Sequence, residues 1–204
     1  MKKSFIILAL TMFSFANAQK GTVLVAGSVG VYSSKSIYST SESTYNDIRV
    51  SPKLGYQYNN NWTTGIEFSI GTNKQTNIST ELQLNTTRKD KQNGFSVGGF
   101  LRYTKPLSEI FSIYADFGMG FQNTKRTENY FDGSTTFTTY SKGNGFYVDL
   151  TPAVFININK NFGLNFNIGG IEYNAVNYNN TQGDTRNLFL NFGQSVSIGV
   201  SKNF

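Results

Sequence analysis

A strict two-residue alternation restricts this chain more than any other feature. It is clearest over residues 50–70, VSPKLGYQYNNNWTTGIEFSI. Before the Asn59–Asn61 turn, Val50, Pro52, Leu54, Tyr56 and Tyr58 share one face, opposite Ser51, Lys53, Gly55 and Gln57. After the turn, Trp62, Thr64, Ile66, Phe68 and Ile70 alternate with Thr63, Gly65, Glu67, Ser69 and Gly71. Strand side chains switch faces at every residue, so this is a hairpin with one apolar and one polar face. In a soluble sheet the apolar face packs inward; in a membrane barrel it meets lipid and the polar face lines the lumen.

The same pattern recurs. Residues 21–32 form a first strand, 94–104 a fourth, 111–122 a fifth, 145–158 a sixth, 162–170 a seventh and 188–204 an eighth. Short turns centre near residues 60, 107 and 160, a spacing of about 50 residues that fits a repeated hairpin. Between them lie polar stretches, residues 33–46, 72–93, 123–144 and 173–185, which read as long loops. Ile78, Leu82 and Leu84 alternate within the second of these, as an extension of the strands beyond the membrane would. With 20 Gly, three Pro and 15% aromatic residues, the composition agrees with an all-β chain rich in turns.

The N-terminus sets the compartment. Lys2 and Lys3 precede an apolar run over residues 5–15, and Ala16, Asn17 and Ala18 form a small-residue cleavage site. This is a secretory signal peptide, with cleavage expected before Gln19. The domains are therefore residues 1–18, the signal, and 19–204, one barrel domain. No cysteine follows the apolar run, which excludes a bacterial lipoprotein. Losing Lys2 and Lys3 takes the 18 basic residues to 16, against 12 acidic ones. That small excess does not support nucleic-acid binding. No later apolar run is long enough for a membrane helix, whereas spanning strands need only about 9–11 residues.

Together these features give an eight-stranded antiparallel up-and-down transmembrane β-barrel after a cleaved signal peptide. The chain resembles the small outer-membrane barrels of Gram-negative bacteria, of the OmpA/OmpX type, and the β-barrel-domain proteins of Bacteroidetes. The dyad strands and the last segment, SVSIGVSKNF over residues 195–204, carry that resemblance. It implies residence in the bacterial outer membrane, contact with its lipid and lipopolysaccharide, and insertion by the barrel-assembly machinery. In that machinery's signal the terminal Phe204 has the family's place. A monomer is expected. Aromatic anchors are expected at the interfaces: Tyr56, Tyr58, Trp62, Tyr103, Phe111, Phe162 and Phe204 near the short turns, and Phe121, Phe146 and Tyr173 at the other side.

The inward face carries Arg49, Lys53, Glu67, Arg102, Asp116 and Asp149. Lys53 and Glu67 lie equally far from the Asn turn, so they should be neighbours; Arg102 and Asp116 flank the next turn similarly. Arg49 and Asp149 lie equally far from their own turns and should share a height, making them partners. An eight-stranded barrel is just wide enough for its own side chains. A structural ion-pair network sealing the lumen is one reading, and a narrow ion path gated by exchange of partners is the other.

Catalysis is not expected. The chain has neither His nor Cys, which removes Ser–His–Asp chemistry, thiolate nucleophiles and His- or Cys-based metal sites. Glu42, Asp47, Asp90, Glu128, Asp132 and Asp184 are scattered loop acids without calcium-loop spacing, read as solvated. No cofactor or metal is implied. Arg88, Lys89 and Lys91 form a basic run suited to lipopolysaccharide phosphates or to plain solvation. The expected function is a non-catalytic, membrane-structural barrel whose loops serve surface contact or adhesion, residues 124–142 above all. A small passive channel or ligand-binding barrel of porin-like kind is the alternative. An exported soluble barrel of lipocalin type would instead turn the apolar faces inward.

Overall fold

The computed structural model describes residues 21–80, 85–160, 162–179 and 183–204, with side chains of 194–196 excepted. The signal-peptide reading, Leu82, Leu84 and Asn161 lie outside the described residues. Eight strands follow in chain order: β1 (Thr22–Ile37), β2 (Ser41–Gln57), β3 (Trp62–Ser79), β4 (Thr86–Pro106), β5 (Phe111–Phe131), β6 (Thr136–Asn159), β7 (Phe162–Tyr178) and β8 (Thr185–Asn203). Each pairs antiparallel with the next, and β1 meets β8, closing a barrel. Closure satisfies strand edges that lipid could not hydrogen-bond.

Register decides which residues face which way. Across β3–β6, Phe68 lies opposite Val97, Val97 opposite Phe121 and Phe121 opposite Phe146. These rows point outward: Ile66, Ile70, Phe95, Phe117, Met119, Phe121 and Phe146 are all exposed. The apolar face of the alternation therefore surrounds the barrel, as a lipid-facing band does. The polar face lines the lumen, where Thr63, Glu67, Arg102, Asp116, Asn165 and Ser201 are buried.

The long polar stretches differ from the loop reading. Residues 33–37 continue β1, 41–46 continue β2, 72–79 and 86–93 continue β3 and β4, and 123–131 and 136–144 continue β5 and β6. Residues 173–178 belong to β7. The turns themselves are short, such as Asp132–Thr135 between β5 and β6. Thr, Asn, Ser and Tyr fit a pleated ribbon in water, where no apolar alternation is needed to hold the register. Side-chain bonds do so, for example Ser33 Oγ to Asn46 Oδ1 at 2.8 Å and Thr138 Oγ1 to Asn129 Oδ1 at 2.8 Å. β5 runs ten residues beyond Phe121, about 34 Å along the strand.

Two irregularities shape the far wall. The register between β7 and β8 shifts between Asn167 and Gly169, and Gly169 has φ +102°. A left-handed backbone at a bulge favours glycine. The bulge reverses which residues of β7 face inward. The β1–β8 seam is shorter than any other, from Leu24–Asn203 to Ser28–Gly199. Phe204 extends it by donating its N–H to the Val23 carbonyl and accepting from the Val23 N–H, both at 3.0 Å.

Candidate functional site: the lumen and the outer rim

The short-turn half of the lumen holds a cluster of charge that neutralises itself. The Asn59–Asn61 turn sets β2 against β3 so that Lys53 faces Glu67 in register, and Nζ lies 2.7 Å from Oε2. The turn at 107–110 sets Arg102 opposite Asp116. The guanidinium donates Nε–H to Oδ1 at 2.6 Å and Nη2–H to Oδ2 at 2.9 Å, a bidentate geometry. Lys53 Nζ also donates to Asp116 Oδ2 at 3.0 Å, joining both pairs into one chain. Two aromatic side chains pack against the cations. Arg102 lies 3.8 Å from the Tyr114 ring centroid, and Lys53 lies 5.1 Å from that of Phe100. Arg102, Asp116, Glu67, Phe100 and Tyr114 are all buried. These side chains pack against one another on the β2–β5 side of the lumen.

Glycine makes room for the network. A methyl group on Gly118 would come within 2.6 Å of both Asp149 Oδ2 and Glu67 Oε1. On Gly98 it would strike the Tyr147 hydroxyl, which instead donates to Glu67 Oε1 at 2.7 Å.

Arg49 and Asp149 are not brought together. Among the described residues neither forms an ion pair. They stand on β2 and β6, four strands apart in a ring of eight, so equal height leaves them on opposite walls. Asp149 accepts from Thr151 Oγ1 at 3.3 Å and shares its surroundings with Glu67. Both residues line a cavity of about 880 Å³, and its wall also includes Lys53, Glu67, Arg102 and Asp116. Asn165, Asn167, Asn174 and Glu172 line it too. Glu172 is an inward acid that strict alternation across Gly169 does not reveal. Its signal is the Gly169–Gly170 pair, a ready site for a bulge in any strand.

The outer extensions are also charge-paired on their inner face. Arg88 meets Glu128 at 2.8 Å, and Arg126 meets Asp90. On the outward face of the β1–β2 ribbon Lys35 pairs with Glu42 at 2.8 Å. Asp90, Glu128 and Glu42 are therefore held in ion pairs, in place of the solvated acids expected. The run Arg88–Lys91 lies on strand β4, so Arg88 points inward while Lys89 and Lys91 point outward. At the β5–β6 tip, the Ser134 and Thr135 amides donate to Asp132 Oδ1 at 2.9 and 2.8 Å. Those amides, Thr135 first, hold the carboxyl below the usual range. Among the described residues no three acids gather into a metal-binding group.

Tyr56, Tyr58, Tyr103, Phe111 and Phe162 form an exposed ring at the short-turn end. Trp62 joins it against Tyr103, ring centroids 4.9 Å apart. Phe204 does not: it is 6% exposed, with Lys202 over its ring. At the other side Phe146 and Tyr173 pack together at 5.9 Å.

A family model described as outer membrane protein beta-barrel domain matches residues 5–204. No curated protein matches the chain. Among solved structures it is similar to Neisserial surface protein A, at 17% identity and TM-score 0.34, covering 90% of this chain and 97% of that one. It is also similar to a major outer membrane protein from Thermus thermophilus, at 10% identity and TM-score 0.43, with 90% and 99% covered. A third is Ail, the attachment invasion locus protein of Yersinia pestis, at 13% identity and TM-score 0.35, with 90% and 97% covered.

Proposed function

We propose, for a chain that belongs to the outer membrane protein beta-barrel domain family and resides in the bacterial outer membrane, a sealed, non-catalytic barrel that works at its outer surface. The observation that carries this is the coexistence of two features. Lys53, Glu67, Arg102 and Asp116 form a chain of ion pairs inside the lumen, while β3–β6 continue as a paired ribbon far past the lipid-facing band. A barrel closed to transport but built tall on one side is suited to surface contact, adhesion included. The reading takes residues 1–18 as a cleaved signal and residues 19–204 as a monomeric barrel inserted by the assembly machinery with Phe204 at its end. Tyr56, Tyr58, Trp62, Tyr103, Phe111 and Phe162 anchor the inner interface.

The test is to shorten the β5–β6 hairpin by deleting residues 128–139 and measure cell adhesion. Heat-modifiable gel mobility checks that the barrel is intact. Lost adhesion with normal barrel mobility supports surface contact; unchanged adhesion removes that hairpin from the function.

The cavity of about 880 Å³ favours a second reading, a small-ligand site in the lumen. Its polar wall, with Arg49 facing Asp149 and Glu172, suits a zwitterionic or hydroxylated solute. Binding that survives hairpin shortening but fails in Arg49→Ala would select this reading.

A further inference from the structure

The outer face of β3–β6 carries a row of lysines that the fold does not explain. The unbroken outward apolar rows of these strands end at Ile70, Phe95, Phe121 and Phe146. Four positions further out on each strand stands a lysine: Lys74, Lys91, Lys125 and Lys142. Lys74 lies directly opposite Lys91, and Lys125 directly opposite Lys142. Asn93 is the partner of Lys125, so Lys91 and Lys125 are diagonal neighbours, roughly 7–8 Å apart at their backbones. Lys89 stands one outward position above Lys91.

All five are exposed. Among the described residues none is ion-paired, and no carboxylate shares their outward face on β3–β6. Like charges directly opposite on a sheet are destabilising, so two such pairs at one height are a cost to the folded barrel alone. On the inner face of the same strands every arginine has found an acid.

The height is informative. Four residues rise about 13 Å along a strand, or roughly 10 Å above the aromatic row after a tilt of about 40°. Headgroups occupy about 5–7 Å beyond the hydrocarbon on each side. Lysine stems can lean that difference back towards the membrane. Between the lysines and the aromatic row lies a polar row, Thr72, Asn93, Asn123 and Asn144, bonded in pairs at 2.9 and 2.8 Å.

We propose that Lys74, Lys91, Lys125 and Lys142, with Lys89, bind the phosphate groups of outer-leaflet lipopolysaccharide through its lipid A headgroup. A row of ammonium groups on a lipid-facing wall meets anions fixed in that plane, which offsets the mutual repulsion. The inference rests on the outer-membrane orientation proposed above, with the ribbons outside. Labelling a tag at the β5–β6 tip on intact cells tests that orientation separately.

The experiment measures binding of bisphosphorylated lipid A, and of lipid A stripped of phosphate, to the refolded full barrel in neutral detergent. The wild type is expected to prefer the phosphorylated lipid, with the preference shrinking as salt rises. The variant Lys74→Gln/Lys91→Gln/Lys125→Gln/Lys142→Gln should lose roughly a hundredfold in affinity, at about fivefold per lysine less some compensation. The corresponding Lys→Arg variant should retain binding. Lys105→Gln/Lys160→Gln, at the opposite end, should leave binding unchanged; heat-modifiable mobility confirms folding in each. Equal binding of the two lipids by wild type, or full affinity in the Gln variant, overturns the proposal. So does tighter lysine-dependent binding of a soluble sulfated polysaccharide than of lipid A.

Discussion

Strands β4 and β5 carry cations on both faces, and the two faces treat them differently. Inside, Arg102 is held bidentate by Asp116, Arg126 meets Asp90 and Arg88 meets Glu128. Outside, Lys91 and Lys125 stand exposed with other lysines beside them. Arg102 is enclosed by protein, so the protein must supply its anion, and the more open Arg88 and Arg126 also meet acids of the neighbouring strand. The outer lysines face a medium that can supply its own anions. The difference separates charge that maintains the structure from charge available for contact.

The most severe way to break this contrast is Arg102→Met. It leaves Asp116 buried with Lys53 as its one cation, and the loss should be about 3–5 kcal/mol in urea unfolding. Asp116→Asn alone should cost a comparable amount, and the double-mutant cycle should show strong coupling between the two. Gly118→Ala comes next. Its methyl group would press on Asp149 and Glu67, for an expected loss of about 1–3 kcal/mol, with no change in surface binding.

Asp149→Asn should act with the opposite sign. Asp149 has no cation of its own and sits beside Glu67, so neutralising it should leave stability unchanged or raise it. A loss as large as that of Asp116→Asn would contradict the network drawn here. Outside, Lys91→Gln removes one direct like-charge pair and should stabilise the lipid-free barrel by about 0.2–1 kcal/mol, while weakening lipid A binding. The smallest effect concerns the β5–β6 tip. The Asp132 carboxyl is held low by backbone amides, so its support is complete above the ordinary Asp range and is lost as pH falls through the lowered value. Protection of the Ser134 and Thr135 amides against exchange, relative to the intrinsic rate, should fall below about pH 4, and in Asp132→Ala at every pH.

The barrel was legible where lipid imposes a rule. Outward residues such as Phe117, Met119 and Phe121 must be apolar, so eight strands stand out by alternation alone. Past Phe121 that rule ends. Thr127, Asn129 and Thr138 satisfy a strand in water as well as a loop, and the ribbons were hidden for that reason. Distance from a turn locates a residue in height, which suffices for Lys53 and Glu67 on adjacent strands. It says nothing of position around the ring, and Arg49 and Asp149 are separated by that unknown. Glu172 was lost to a single bulge at Gly169, after which parity reverses. The lysine row has a regular offset from the last aromatic residues, but its meaning appears only once β3–β6 are continuous through residues 72–93 and 123–144.

A barrel that works at its outer surface above a closed lumen passes no ions, so conductance is the decisive measurement. Purified wild-type barrel in a planar bilayer at neutral pH should show no steady open-state current, because Lys53, Glu67, Arg102 and Asp116 occupy the bore. A steady current that disappears in Lys53→Met would contradict the account and identify the network as a gate.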